Sequence, residues 1–137
     1  MRRSFAIVLA VLGITLFAAA IRAEESQYTD ITIPQLKAAM EKKDVVILDA
    51  NGTDSYRDGH IPGALNFEAE SANLEKVLPK DKGALIVAYC GGPQCMAYKA
   101  ATTKVLAMGY TNVKHLPAGI SGWKAAGEKT EKVAAGK

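Results

Sequence analysis

The chain has 137 residues, 49% hydrophobic but only 7% aromatic, which is room for one domain with a core of Val, Ile, Leu and Ala. Its net charge of +3 belongs to the first residues: setting aside Arg2, Arg3 and Arg22 lowers Lys+Arg from 17 to 14, equal to the 14 Asp+Glu, all of which follow Ala23. A neutral body without a basic patch excludes a nucleic-acid surface, and two cysteines spaced C-x4-C with only His60 and His115 elsewhere fit no four-ligand metal site.

Met1 to Ala23 reads as an export signal. Arg2 and Arg3 open it, Phe5 to Ile21 is uncharged and almost wholly apolar, and Ala23 is a small residue before Glu24 and Glu25. The apolar run is 17 residues, short of the roughly 20 that a spanning helix needs. Membrane contact is therefore expected only if the leader stays uncleaved, and the mature protein is expected to be periplasmic or secreted. Residues 24–29 form a polar lead-in, residues 30–127 a single domain and residues 128–137 a flexible lysine-rich tail.

Asp30 to Ile33 opens the domain as a short edge strand or the start of a helix. Thr32 is the N-cap and Pro34 lies in the first turn of a helix with Leu36, Ala39 and Met40 on its apolar face. Val45-Val46-Ile47-Leu48 is a continuous apolar run, hence a buried strand, and Asp49-Ala50-Asn51-Gly52 turns after it. Asp49 has two readings there: local turn chemistry, or a residue that orients an active-site loop. Thr53 to Asp58 suits a short helix stopped by Gly59. His60, before Ile61-Pro62-Gly63, reads as a hydrogen-bonded structural residue ahead of a catalytic base. Ala64 to Phe67 is a short strand, and Ser71 caps a helix through Leu74, Val77 and Leu78 that Pro79 closes.

Ala84 to Tyr89 is the second long apolar run, and it ends at Cys90. Gly91-Gly92-Pro93 forces a loop. From Met96 onward Ala97, Ala101, Val105 and Met108 recur at helical spacing, up to a cap at Gly109. Cys90 thus ends a strand and heads a loop that feeds a helix N-terminus, where amide N–H groups favour a thiolate or a persulfide. Gly91 and Gly92 allow close approach of the backbone, whereas Pro93 offers no N–H. Asn112 to Leu116 is a last short strand, and Ile120 to Ala126 a short helix with Trp123 in the core. Strands alternating with helices make an α/β layer fold whose sheet is mainly parallel, with sites at the carboxyl ends of strands. The pattern holds no Walker-type phosphate loop and calls for no cofactor.

Five pieces in order resemble a single rhodanese domain over about Asp30 to Gly127: Ile47-Leu48-Asp49; Tyr56 with Gly59-His60-Ile61-Pro62-Gly63-Ala64; Val87-Ala88-Tyr89-Cys90; Gly109-Tyr110-Thr111-Asn112-Val113; and Ala118-Gly119-Ile120-Ser121-Gly122-Trp123. The resemblance implies a three-layer sandwich, a central and mainly parallel five-stranded sheet with helices on both faces. It also implies a sulfurtransferase. The Cys90 thiolate takes the outer sulfur of a donor such as thiosulfate, and cyanide, a thiol or a sulfur-carrier or redox protein accepts it from the persulfide. Two-step covalent chemistry of this kind is ping-pong. Cys90 would emerge into a substrate-binding loop of Gly91, Gly92, Pro93, Gln94 and Cys95, whose N–H groups hold the persulfide charge.

The chain departs from that pattern in three places. Gly91 to Met96 carries no charge, although active loops of this family often hold an Arg or Lys, and Asn51 stands where many members have a basic residue. Arg57 and Lys99 are the candidate substitutes, with Asp49 as a supporting residue. The related phosphatases use Cys-x5-Arg; that position here is Met96, which disfavours phosphoryl transfer. Cys95 is open to three roles: a thiol that resolves the persulfide, a disulfide partner that blocks Cys90, or an inert packed residue. Two further functions stay open with them, a non-enzymatic binding or sulfur-carrier module and a thiol-redox protein using Cys90 and Cys95.

Overall fold

The computed structural model describes residues 27–134; the leader reading and the last three residues lie outside them. The two continuous apolar runs become the paired centre of a sheet: β2 (Val45–Asp49) and β4 (Leu85–Tyr89) lie side by side in parallel, Val45 opposite Leu85 and Asp49 opposite Tyr89. Strands covered on both faces need no alternation, which is why these runs are apolar throughout. The outer strands are short. β5 (Val113–His115) flanks β4 and is followed by β1 (Thr29–Asp30) at one edge, while β3 (Leu65–Asn66) flanks β2 at the other. The order is β1-β5-β4-β2-β3 with every pairing parallel.

Side chains alternate across the sheet and meet helices on both sides. On one face Leu48, Ile86, Ala88 and Cys90 join Leu74 of α4 (Leu74–Val77) and Tyr98, Ala101 and Val105 of α5 (Tyr98–Ala107). On the other, Ile47, Val87 and Tyr89 join Leu36 of α1 (Ile33–Glu41), Ile61, and Trp123 of α6 (Gly119–Ala125). The expected three-layer α/β sandwich is what the chain forms. Thr32 caps α1 as expected, its hydroxyl accepting from the Gln35 N–H while Gln35 Oε1 accepts from the Thr32 N–H.

Three local expectations are corrected. Ser71 is not the N-cap of the helix through Leu74: Asn73 holds that position, and Ser71 ends the preceding helix, α3 (Phe67–Glu70), which Asn66 caps, its Oδ1 accepting from the Glu68 and Ala69 N–H groups, so Phe67 opens a helix instead of ending a strand. The long helix begins at Tyr98, not Met96, because the turn that closes the cysteine loop consumes the intervening residues. Residues 128–133 are not frayed. Trp123 Nε1 donates to the Lys129 carbonyl at 2.8 Å, His60 and Glu131 exchange backbone bonds at 2.9 Å, and Val133 N–H donates to the Arg57 carbonyl at 3.2 Å. A chain end that finds this many backbone partners is tied down.

Candidate active site

Cys90 follows the last residue of the central strand, and the sheet ladder runs to its doorstep on both sides. Ala50 N–H donates to the Tyr89 carbonyl at 2.8 Å, and Leu116 N–H to the Ala88 carbonyl at 3.0 Å. Beyond that point the loop is seated on α6. The Cys90 carbonyl accepts from Ile120 N–H at 2.9 Å and the Gly91 carbonyl from Ser121 N–H at 3.0 Å. The peptides are trans, so each carbonyl points opposite to the N–H that follows it. Turning these two carbonyls toward α6 therefore turns the N–H groups of Gly91 and Gly92 away from it. Among the described residues no backbone carbonyl accepts from either one.

The close seating explains the Ala118-Gly119-Ile120 stretch. A Cβ on Gly119 would lie 2.5 Å from Gly92 N and 2.6 Å from the Cys90 carbonyl oxygen, and Gly119 itself has φ +59°. A Cβ on Gly92 would lie 2.6 Å from Ser121 Oγ, while one on Gly91 meets only ordinary contacts, Asn51 Oδ1 at 3.7 Å and Cys95 Cβ at 3.8 Å. Of the two loop glycines, close approach is thus required at Gly92. Pro93 and Gln94 are exposed, and Cys95 N–H donates back to the Gly92 carbonyl at 3.0 Å, closing a turn.

Cys90 and Cys95 are joined as a disulfide, with their Cα atoms 6.2 Å apart. Cys90 is only 1% exposed, whereas Cys95 is half-buried. The expectation of a Cys90 side chain open to solvent is corrected for this oxidised form, because the bonded Cys95 sits over it. Of the three roles left to Cys95, the inert one is removed.

Asp49 makes the turn contacts expected of it and one more. It is fully buried; its Oδ1 accepts from the Asn51 N–H at 2.8 Å and from Asn51 Nδ2 at 2.9 Å, which is turn chemistry. Its Oδ2 accepts from the Tyr89 hydroxyl, and that hydroxyl in turn accepts from the Ile61 N–H at 3.0 Å. Burial, and then the Asp49 carboxylate, push the Tyr89 hydroxyl far up, so it stays protonated and donates. The network holds Asn51 beside Gly91. Arg57 is exposed on α2 (Thr53–Asp58), its carbonyl accepts from the Val133 N–H, and among the described residues its side chain makes no hydrogen bond or ion pair to the cysteine loop. His60 is structural. It stacks on Tyr56 at 3.7 Å between ring centres, and Nδ1 lies 2.8 Å from the Tyr56 carbonyl oxygen.

A second polar cluster, unread in the sequence, lies on the β5 side. His115 pairs with Ala88, one rung below Cys90 and on the same sheet face. Its ring stacks on Tyr98 at 3.4 Å between centres, and Nδ1 lies 3.2 Å from Asp30 Oδ1. Nε2 is buried and has no partner among the described residues. Burial lowers the His115 pKa, with Asp30 pulling against it. Tyr98, whose hydroxyl lies 3.1 Å from that of Tyr28, is pushed up to about 12 by that hydrogen bond and then by burial. Tyr89, Tyr98, His115, Gly119 and Ser121 were all missed by sequence reasoning. Only Gly119 carried a signal, as a glycine in a stretch otherwise suited to a helix.

A cavity of about 710 Å³ opens at the other end of the sheet, lined by Lys42, Val45, Pro79, Leu85 and Asn112, and neither cysteine lines it. Cys90, Asp49 and Tyr89 gather at the carboxyl ends of β2 and β4.

A family model described as a rhodanese-like domain matches residues 32–126. The chain is 34% identical over 110 residues to the thiosulfate sulfurtransferase GlpE of Pseudoalteromonas translucida, covering 77% of this chain and 98% of that protein. Among solved structures, it resembles the rhodanese-like domain of the Alr3790 protein of Anabaena, at 26% identity and a TM-score of 0.60, with 79% of this chain and 86% of that one covered. It also resembles a thiosulfate sulfurtransferase from Pseudomonas aeruginosa, at 27% identity and a TM-score of 0.64, covering 77% of this chain but 20% of the other.

Proposed function

The chain belongs to the rhodanese-like domain family, and from that premise we propose that it is an exported sulfurtransferase working through a persulfide on Cys90. In the reduced protein the Cys90 thiolate attacks the outer sulfur of a donor such as thiosulfate. A sulfur–sulfur bond forms to Cys90, the donor's own bond breaks, and sulfite leaves with the electron pair. A thiolate or cyanide then attacks the outer sulfur of the persulfide and returns Cys90 as a thiolate. Thiosulfate is chosen because the GlpE relative is named for it.

The observation that carries this reading is the seating of the Cys90 loop on α6. Because the Cys90 and Gly91 carbonyls accept from α6, the N–H groups of Gly91 and Gly92 stay available to an anionic sulfur. Donors fixed before the reaction stabilise a charge without reorganising. Asn51, held by Asp49 beside Gly91, is a neutral positioning residue on the same rim. The proposal includes secretion: residues 1–23 are the leader, residues 30–127 the working domain, and the periplasm or the exterior the compartment, where a disulfide is at home.

The test is intact-mass analysis of fully reduced protein after incubation with thiosulfate and, separately, with an organic persulfide. Cys95→Ser is expected to acquire sulfur on Cys90 and to yield thiocyanate with cyanide, and Cys90→Ala to do neither. Failure of both reduced wild type and Cys95→Ser to take sulfur from any donor tried, whether held on the chain or released as sulfide, overturns the proposal. The Cys90–Cys95 bond favours one second reading, a thiol-redox protein that handles no sulfur atom. That reading requires disulfide exchange by wild type with neither sulfur loading nor sulfide release.

A further inference from the structure

We infer that Cys95 is a resolving cysteine, and that this chain reduces sulfane sulfur to sulfide with an external dithiol as reductant; the inference rests on the Cys90 persulfide proposed above. Two features carry it. The first is reach: the turn that returns Cys95 N–H to the Gly92 carbonyl brings the Cys95 sulfur onto the Cys90 sulfur, where the two are bonded. The second is asymmetry. Cys90 is anchored through its carbonyl to Ile120 and is 1% exposed, whereas Cys95 is only half-buried, at the edge of the same core.

The chemistry closes on these two atoms. The Cys95 thiolate attacks the inner sulfur of the Cys90 persulfide. A bond forms between the two cysteine sulfurs, the bond from the inner to the outer sulfur breaks, and the outer sulfur leaves as hydrosulfide with the electron pair. The sulfane sulfur gains two electrons and the two cysteines lose one each. The product is the disulfide seen here.

Exposure then sets the direction of reset. A thiolate of the incoming dithiol reaches Cys95 and not the buried Cys90, so a mixed disulfide forms on Cys95 and Cys90 departs. Cys90 departs as a thiolate beside the N–H groups of Gly91 and Gly92, which no backbone carbonyl engages among the described residues. The reductant's second thiolate then releases Cys95. In sum, thiosulfate and a dithiol give sulfite, hydrogen sulfide and the oxidised dithiol.

A single-turnover experiment decides the matter. Fully reduced wild type, Cys95→Ser, Cys95→Ala and Cys90→Ser are freed of reductant and mixed with thiosulfate, and intact mass and free sulfide are followed. Wild type is expected to release one sulfide per chain and to finish two hydrogens lighter. Both Cys95 variants are expected to hold one extra sulfur and release no sulfide, and Cys90→Ser to do nothing. Glutathione added to oxidised wild type is expected to be found by peptide mapping on Cys95. Wild type that holds the extra sulfur with Cys95 still free overturns the inference and leaves the sulfurtransferase standing, as does sulfide release by the Cys95 variants at the wild-type rate. Variants and wild type that all fail to take up sulfur overturn both.

Discussion

On its β2 side the cysteine loop leans on buried side chains. Asp49, Tyr89 and Asn51 form a hydrogen-bonded network that reaches the Ile61 N–H at one end and an amide beside Gly91 at the other. On its β5 side the loop leans on bare backbone. Gly119 has no side chain because the Cys90 and Gly91 peptides occupy that space, and the first amides of α6 take the loop carbonyls. Side-chain support is chemically specific but spatially forgiving; backbone support is the reverse. The β5 side is also electrostatically incomplete, since His115 keeps a buried nitrogen that has no partner among the described residues.

Gly119→Ala is the heaviest blow to this arrangement. The new methyl meets backbone atoms that cannot rotate away, at a residue already in the left-handed region. Overpacking and strained backbone together are expected to cost about 3–4 kcal/mol, read from urea unfolding. A loss below about 1 kcal/mol would mean that the loop can lift off α6.

Tyr89→Phe comes next. It leaves the Ile61 N–H and one oxygen of Asp49 buried without a partner, with an expected loss of about 2–3 kcal/mol. If this variant proves more damaging than Gly119→Ala, the ranking of the two sides is inverted.

Gly92→Ala sharpens the comparison within the β5 side. Its methyl meets the Ser121 hydroxyl, a side-chain atom that can turn away, so the expected loss is about 1 kcal/mol or less. Most of that loss should vanish in the Gly92→Ala/Ser121→Ala double variant, where the obstructing oxygen is gone. A double-mutant cycle measures the coupling directly.

The smallest effect is a pH slope. Burial holds the His115 pKa below its ordinary 6.5 in the folded chain. As pH falls through about 6.5, the unfolded chain takes a proton that the folded chain refuses. Stability should therefore fall with pH from that point down to the folded pKa, and this group should contribute no slope above it. Asp30, Tyr98 and Tyr28 surround the ring. Urea midpoints of wild type should fall more steeply over this range than those of His115→Phe; parallel curves would show that the unpartnered nitrogen is inconsequential.

Much of the fold was legible because its signals are short-range. Two apolar runs read as buried strands and proved to be the central pair. Thr32 before Ile33-Pro34 read as a cap and is one. The turn of sequence at Cys90 read as a strand giving way to a loop, and so it is. Errors arose where a local signal was outweighed. Ser71 suits an N-cap, yet Asn73 takes that position before Leu74 and Ser71 ends the short helix that Asn66 opens. The lysine-rich tail reads as frayed by composition, yet Trp123, His60 and Arg57 offer it partners that composition does not reveal.

By itself the sequence determined which segments are strands, that they alternate with helices, and that a cysteine stands at the end of a central one; periodicity and turn chemistry act over a few residues and need no neighbours. Only the tertiary structure decided that Asp49 lies under the hydroxyl of Tyr89, that Gly119 lies under the backbone of the loop, and that Cys95 closes over Cys90. These contacts depend on how the strands are ordered and how tightly α6 and the loop meet. Such matters are set by packing between distant parts of the chain, whose residues carry no local trace of one another.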